Sequence, residues 1–251
     1  MDIFSRYIYN FLLILLRTGI VISLLPFFGS KNFPAQFKIG FAVAIAFILT
    51  PIIEVKVIPT EIPILVMREV IFGIALGLIA RSIFVGIEMA GHFASNAIGL
   101  SISSIFDPEI GQSAELAKLY GVITMLIFLS LDVHHDIIYV LVRSYEWLPS
   151  GHLNNIKSLV GDIVSVTARM FIIAIKISAP VIVAMLISHL LLGFLYKAAP
   201  QMNIFFVGFP VYIFIGFIVI LISIPVCIHI IGGYIQGIKD ELIRIINIAR
   251  G

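Results

Sequence analysis

The chain alternates long apolar runs with short polar breaks, and this pattern predicts membrane-type helices. The apolar segments cover approximately residues 7–28, 39–53, 64–85, 86–105, 119–142, 164–195 and 204–235. Proline and glycine are frequent in the breaks, where they interrupt helices. We therefore predict an all-α, polytopic fold of kinked and broken apolar helices, organised as a single domain over residues 1–251. The tail from Gln236 has an amphipathic pattern, with apolar residues on one helical face.

Charged residues interrupt most of these segments. A bilayer span takes roughly 20 apolar residues, and only Ile204–Ile228 is long enough without a charge. Each charge at the centre of a lipid-exposed helix costs about 2.5–3.5 kcal/mol. We expect such charges to line an aqueous cavity, pair with one another or pack on partner subunits. The residues concerned are Arg17, Glu88, Asp132, Asp136 and Arg169.

Composition excludes an ordinary soluble domain. The chain is 61% hydrophobic and only 12% charged, with a mean hydropathy of +1.15, whereas globular chains carry about 25% charged residues. Its surface must therefore face lipid or other apolar protein. The net charge of +2 is too small to indicate nucleic-acid binding. No phosphate loop, dinucleotide fingerprint or nucleophile–base motif occurs, so we predict no enzymatic activity and no cofactor.

Small residues recur at helical spacing and predict close helix packing. Gly73 and Gly77 form a GxxxG pair, and the following segment carries the rows Gly86/Ala90/Ala94 and Gly91/Ser95/Gly99. At the start of the last apolar segment, Pro200, Asn203, Gly208 and Pro210 predict a turn into a kinked helix. We expect this turn to shape a bend between subunits. The predicted packing residues are Gly73, Gly77, Gly91, Gly99, Gly208 and Pro210.

A polar interruption from Ile105 to Glu115 divides the chain near its middle. Pro108 disfavours helix at Asp107, and Gly111 frees the backbone again, so a loop is expected here. Its spacing alone fits either a solvated turn between helices or a mobile segment in a passage.

Several polar side chains have two interpretations. Arg17 would form a buried ion pair within an assembly or face a lumen. Glu69 follows Pro63 near an expected helix start, where an acid suits the helix dipole. Glu88 and His92 share a helical face, as a hydrogen-bonded pair or as a proton relay. Together with Arg17, Glu88 and His92, we predict Glu69 and Arg169 to be buried polar residues in the assembly.

The polar group Asp132, His134, His135 and Asp136 contains only possible metal ligands. On a helix only Asp132 with His135, or Asp132 with Asp136, would share a face. We favour a polar break in the fifth apolar segment over a metal site.

With these segments in view, the chain resembles the FliR family, the R protein of the flagellar and type III secretion export gate. The matching motifs occur in order along nearly the whole chain. They include Arg17, Pro26-Phe27-Phe28-Gly29, Glu69-xxx-Gly73-xxx-Gly77, Phe106-Asp107-Pro108, Ser144-Tyr145, Leu148-Pro149-Ser150-Gly151, Leu192-Gly193-Phe194-Leu195, Ala199-Pro200-Gln201-Met202-Asn203 and Gly208-Phe209-Pro210. The chain departs from the family at two places. It has Asp132-Val133-His134 where the family usually has Asn-Gly-His, and Tyr145 where the family usually has Phe.

The resemblance implies one subunit of a helical, multi-subunit, closed export channel. One copy would assemble with the P and Q proteins, contact the B switch protein, and pass unfolded flagellar subunits across the bacterial inner membrane. The complex would lie in the flagellar basal body, in contact with membrane lipid and raised toward the periplasmic side. The resemblance also implies a pore plug formed by Phe106, Asp107, Pro108, Glu109, Ile110, Gly111, Gln112 and Ser113.

Two other functions are compatible with the residues alone. A stand-alone, ion-coupled permease would use Glu88, His92 and Arg169 near the midplane of the membrane. An intramembrane enzyme would use the Asp132–Asp136 cluster. Substrate uptake by the reconstituted chain would indicate the permease, and bound metal would favour the enzyme.

Overall fold

The structure is a computed structural model that describes residues 3–25, 34–53, 62–100, 115–148, 156–199, 201 and 204–250. Within these ranges the regular structure is entirely helical, which confirms the all-α prediction. The helices are α1 (Ile3–Leu24), α2 (Ala35–Leu49), α3 (Ile62–Ile98), α4 (Glu115–Ser130), α5 (Val133–Trp147), α6 (Ile156–Ala198), α7 (Ile204–Gln236) and α8 (Ile238–Arg250).

The described residues contain four stretches that are long and apolar enough to cross a membrane. A fifth candidate is the pair α4 and α5, which is bent by 69° at the break between its helices. The polytopic prediction and the broken helix are thus confirmed. The four stretches are Tyr7–Leu24, Ile62–Ile98, Ser158–Ala198 and Phe206–Arg250.

Two predicted segment boundaries differ from the structure. The segment 64–85 and the part of the segment 86–105 up to Ile98 belong to one continuous helix, α3. Gly86 does not break this helix but allows close packing, because an added Cβ would lie 3.0 Å from the Met170 carbonyl oxygen. The segment 164–195 is also longer than predicted, since α6 begins at Ile156 and includes the polar residues around Asp162.

Contacts divide the chain into two compact units, and the prediction of a single domain is not decided by this division. Unit 1 comprises Met1–Ile83, Asp132–Thr167 and Gln236–Gly251, and unit 2 comprises Phe84–Leu131 and Ala168–Ile235.

In unit 1, α1 packs against α2 through an apolar cluster that includes Ile14, Ala46 and Leu49. The side-chain amide of Asn10 donates to the carbonyl oxygens of Thr50 and Ile53, which ties α1 to the end of α2. The amphipathic tail forms α8 and packs against α5. Its apolar face is buried, as its pattern predicted, through Ile238, Leu242, Ile245, Ile246 and Ala249.

In unit 2, small residues allow helices to approach closely. Gly91 lies against the backbone of Ala117, and Gly216 lies against the side chain of Ile98. The rings of Phe84 and Phe128 meet edge to face at 5.3 Å between centroids. Pro180, in α6, and Pro210 and Pro225, in α7, lie inside helices, where each removes one backbone hydrogen bond.

Candidate functional site

The predicted pore plug, residues 106–113, lies outside the described residues. Its role stays a prediction, and the polar sites that the structure does describe lie elsewhere along the chain.

A buried cluster around Arg17 joins α1 to α3 and α5 within unit 1. Arg17 Nε donates to Glu69 Oε2 at 2.6 Å, and Nη2 donates to Glu69 Oε1 at 2.8 Å. The two side chains are only 2% and 1% exposed. This bidentate arrangement is the strong form of the arginine–carboxylate pair.

The remaining contacts of the guanidinium complete its environment. Nη1 donates to Ser144 Oγ at 3.0 Å, and Nη2 donates to the Leu148 carbonyl oxygen at 3.3 Å. The guanidinium carbon lies 4.2 Å from the centroid of the Tyr145 ring and 4.9 Å from that of Phe72. A buried charge is tolerated only when it is paired and hydrogen bonded, and this cluster supplies both conditions.

The ion pair of Arg17 is therefore complete inside one chain, without a lumen or a partner. Glu69 lies in the third turn of α3, which begins at Ile62. Glu69 is buried, as predicted for a buried polar residue, and its carboxylate binds Arg17. It lies too far along α3 to act on the helix dipole, because that effect is confined to the first turn. A role of Glu69 in an assembly stays a prediction. Sequence reasoning missed the contributions of Phe72, Ser144 and Leu148 to this cluster.

Tyr145 adds a neutral hydrogen bond to the same cluster. Its hydroxyl donates to the Ile14 carbonyl oxygen at 3.1 Å and lies 3.2 Å from Thr18 Oγ1. We expect Tyr145→Phe to lower stability by about 0.5–1.5 kcal/mol for each hydrogen bond lost, because the hydroxyl binds both the Ile14 carbonyl oxygen and Thr18. Thermal unfolding of the purified chain measures this change. Tyr139→Phe, at an exposed tyrosine of the same helix, is the control, and an equal loss there would contradict the assignment.

The other predicted polar residues are not collected in this cluster. Glu88 and His92 are both exposed on α3 in the single chain, and no hydrogen bond joins these two described side chains. Their burial in an assembly stays a prediction. Asn96 is exposed on the same helical face. Arg169, on α6, is half-buried.

Most of the predicted packing glycines lie at close contacts. A Cβ at Gly73 would lie 3.3 Å from Ile20 Cβ, and one at Gly77 would lie 2.6 Å from Leu24 Cδ1, both on α1. At Gly208, an added Cβ would lie 2.6 Å from the Tyr196 hydroxyl oxygen. At each of these three positions, the absence of a Cβ allows a neighbouring helix to pack closely.

Gly99 and Pro210 have different positions from those expected. Gly99 follows the last residue of α3 and has a φ of 91°, so it ends the helix instead of continuing a packing row. A left-handed glycine is the common way for a helix to end. Pro210 is exposed inside α7, and a role between subunits stays a prediction.

The polar break in the fifth apolar segment lies at Leu131 and Asp132, between α4 and α5. Asp132 adopts the left-handed conformation, with φ 55° and ψ 22°. Asp132, His134 and His135 lie close together there, whereas Asp136 accepts a hydrogen bond from Lys239 at 2.7 Å.

Comparison with known proteins gives one consistent result. Residues 8–238 match the family model of bacterial export proteins, family 1. Flagellar biosynthetic protein FliR of Bacillus subtilis is 31% identical over 227 residues, which cover 86% of each chain. FliR of Aquifex aeolicus is 29% identical over 84% of this chain and 83% of its own. FliR of Escherichia coli is 28% identical over 90% of each chain.

The family match covers nearly all of the described helices, from α1 to the start of α8. It also agrees with the resemblance found from the ordered motifs. This chain belongs to the bacterial export proteins, family 1, the family of flagellar biosynthetic protein FliR.

Proposed function

We propose that this chain is a subunit of the flagellar type III protein export gate in the bacterial inner membrane. One copy assembles with the P and Q proteins into a closed channel that passes unfolded flagellar subunits. The single observation that carries this proposal is the family match over residues 8–238. The role is structural and one of transport, and it includes no catalytic step.

The surface of unit 2 supports an assembly within a membrane environment. Many large apolar side chains of α6 and α7 are exposed, and contiguous apolar surface of this kind marks contacts with a membrane or with partner proteins. The most exposed include Leu186, Leu191, Phe194, Phe206, Phe214, Leu221 and Ile222. Lipid or apolar partner subunits must cover these faces.

The polar face of α3 supports a partner or an aqueous passage beside that helix. Glu88, His92 and Asn96 are exposed along one side of a candidate span. A charge facing lipid at mid-depth costs about 2.5–3.5 kcal/mol. We therefore infer that this side of α3 faces a partner subunit or the channel, in agreement with a gate subunit.

The plug assignment is tested by deleting residues 106–113 in the co-expressed complex. We expect the deletion to raise ion conductance in planar bilayers, because the closed channel loses its obstruction. Native mass spectrometry checks that the complex still assembles, and Lys118→Ala, at an exposed lysine near the start of α4, should remain closed. An intact complex with unchanged conductance would contradict the plug.

The same polar face of α3 is the one observation that favours an ion-coupled permease. A permease would work as a single reconstituted chain, whereas a gate subunit would not. Uptake of a substrate by proteoliposomes that contain this chain alone would therefore contradict the gate proposal and favour the permease.

The gate proposal also includes contact between this chain and the B switch protein, and a position of the assembled complex raised toward the periplasmic side of the membrane.

A further inference from the structure

The turn between α4 and α5 brings together three side chains that commonly bind metal ions. Asp132 precedes α5, and His134 and His135 lie in the first turn of that helix. The backbone N–H of His135 donates to the Asp132 carbonyl oxygen at 3.0 Å. The left-handed backbone of Asp132 is unusual for a residue other than glycine.

The distances between the ligand atoms suit a small ion. One oxygen or nitrogen atom from each of the three side chains lies within 4.8 Å of the other two. His135 Nδ1 is 3.7 Å from Asp132 Oδ1. Tetrahedral zinc with bonds of about 2.0–2.1 Å needs ligand atoms about 3.3 Å apart. Side-chain rotations that move these atoms by about an ångström would therefore close the site.

The side-chain rotations of Asp132 and His135 have little to oppose them. The side chains of Asp132 and His135 are 75% and 73% exposed, so neither is held by surrounding core. The rings of His134 and His135 lie 4.0 Å apart between centroids. Two imidazole nitrogens and one carboxylate oxygen, the three possible metal ligands, therefore lie in one small region.

We propose that Asp132, His134 and His135 form a binding site for one divalent transition-metal ion, with zinc as the best match. Two imidazole nitrogens and one carboxylate oxygen are ligands that zinc accepts, and imidazole also suits copper and nickel. Three protein ligands leave a fourth position for water. The site lies at a polar break in an apolar chain and shares no residue with the proposed plug or with the Arg17 cluster.

The neighbouring charges define the ligand set. Asp136 is engaged by Lys239 at 2.7 Å, so it is not counted among the ligands. The Lys239 ammonium, which also lies 5.3 Å from the centroid of the Tyr139 ring, is offset by that carboxylate. Its charge therefore opposes a nearby cation less than an unpaired lysine would. The bound ion would hold the left-handed turn of Asp132 against the first turn of α5. This role is structural and includes no catalytic step, so zinc binding without hydrolytic activity is compatible with the gate subunit and does not support the enzyme.

The test uses zinc and cobalt with the purified full-length chain in detergent. Competition with a chromophoric chelator measures zinc affinity and stoichiometry. We expect one zinc ion per chain, and a loss of more than about tenfold in affinity for Asp132→Asn, His134→Ala and His135→Ala, since even indirect ligand contacts change affinity 10–100-fold. His229→Ala, at an exposed histidine of α7, is the matched control and should bind like the wild type.

Cobalt provides a measurement that does not depend on the folding of any variant. The wild-type chain should give the visible absorption bands of tetrahedral cobalt. Addition of zinc should abolish these bands, because zinc displaces the bound cobalt. Zinc should also raise the midpoint of thermal unfolding, because the ion binds the folded chain. The proposal is overturned if the wild type shows neither binding nor these bands. Equal zinc affinity in the wild type and the double variant His134→Ala/His135→Ala would overturn it as well.

Discussion

Arg17→Met should destabilise the chain by about 3–5 kcal/mol, the range for removing one partner of a buried ion pair. The variant leaves the Glu69 carboxylate, which is only 1% exposed, without its two guanidinium hydrogen bonds. Ser144 Oγ and the Leu148 carbonyl oxygen lose a donor in the same step. Thermal unfolding of the purified chain, followed by circular dichroism, measures the loss.

Two further variants separate an uncompensated charge from a loss of packing. Arg17→Met combined with Glu69→Leu removes both charges, and replacing a buried pair by apolar residues is often neutral or stabilising. We expect this double variant to recover most of the lost stability. Lys118→Met removes an exposed pair with Glu115, which is worth about 0–1 kcal/mol. A single variant as stable as the wild type would show that the Arg17 cluster does not hold unit 1 together.

Gly91→Ala should be the most damaging substitution of a glycine in unit 2. A Cβ at this position would lie 2.7 Å from the Ala117 nitrogen and 2.8 Å from the Leu116 carbonyl oxygen. Both atoms belong to the backbone of α4, so no side-chain rotation relieves the overlap, and α3 and α4 must separate. Overpacking of a core costs about 1–3 kcal/mol and occasionally more, and we expect the upper end of this range.

Gly161→Ala is the matched control for this substitution. Gly161 also lies inside a helix, α6, and an added Cβ there would meet nothing within 4 Å. The control should raise stability by up to about 1 kcal/mol, because alanine favours helix more than glycine does. The two alanine variants should therefore shift the unfolding midpoint in opposite directions. A shift of equal sign and size in both would mean that α3 and α4 do not touch at Gly91.

The helices and their general class could be predicted from the sequence because apolar runs of helical length have few alternatives in a membrane chain. The predicted segment 204–235 and α7, Ile204–Gln236, agree closely for this reason. The amphipathic pattern of α8 was equally direct, since five apolar residues recur on one face and that face is buried.

Helix continuity was harder to predict. Glycine can break a helix or allow close contact, and the sequence pattern does not distinguish the two at Gly86. The structure places Gly86 inside α3 against the Met170 backbone. At Gly99 the opposite holds, because its positive φ ends the helix that the small-residue row was expected to continue.

The partners of Arg17 could not be identified because they are remote in the sequence. Glu69 lies 52 residues away and Ser144 lies 127 residues away. One amino-acid sequence contains no local pattern that identifies contacts between residues so far apart along the chain. The polar residues around Asp132 predicted a break in the fifth apolar segment, but they did not predict the left-handed conformation of Asp132. An aspartate has no side-chain feature that indicates this conformation from the sequence alone.

The central claim is that partner subunits enclose this chain within an export gate. Native mass spectrometry of the complex obtained by co-expression with the P and Q proteins of the same genome tests it most directly. The account predicts a stable hetero-oligomer that contains one copy of this chain and several copies of its partners. If the co-expressed chain instead elutes as a monodisperse single chain, with neither partner bound although both are present, the result would contradict the claim.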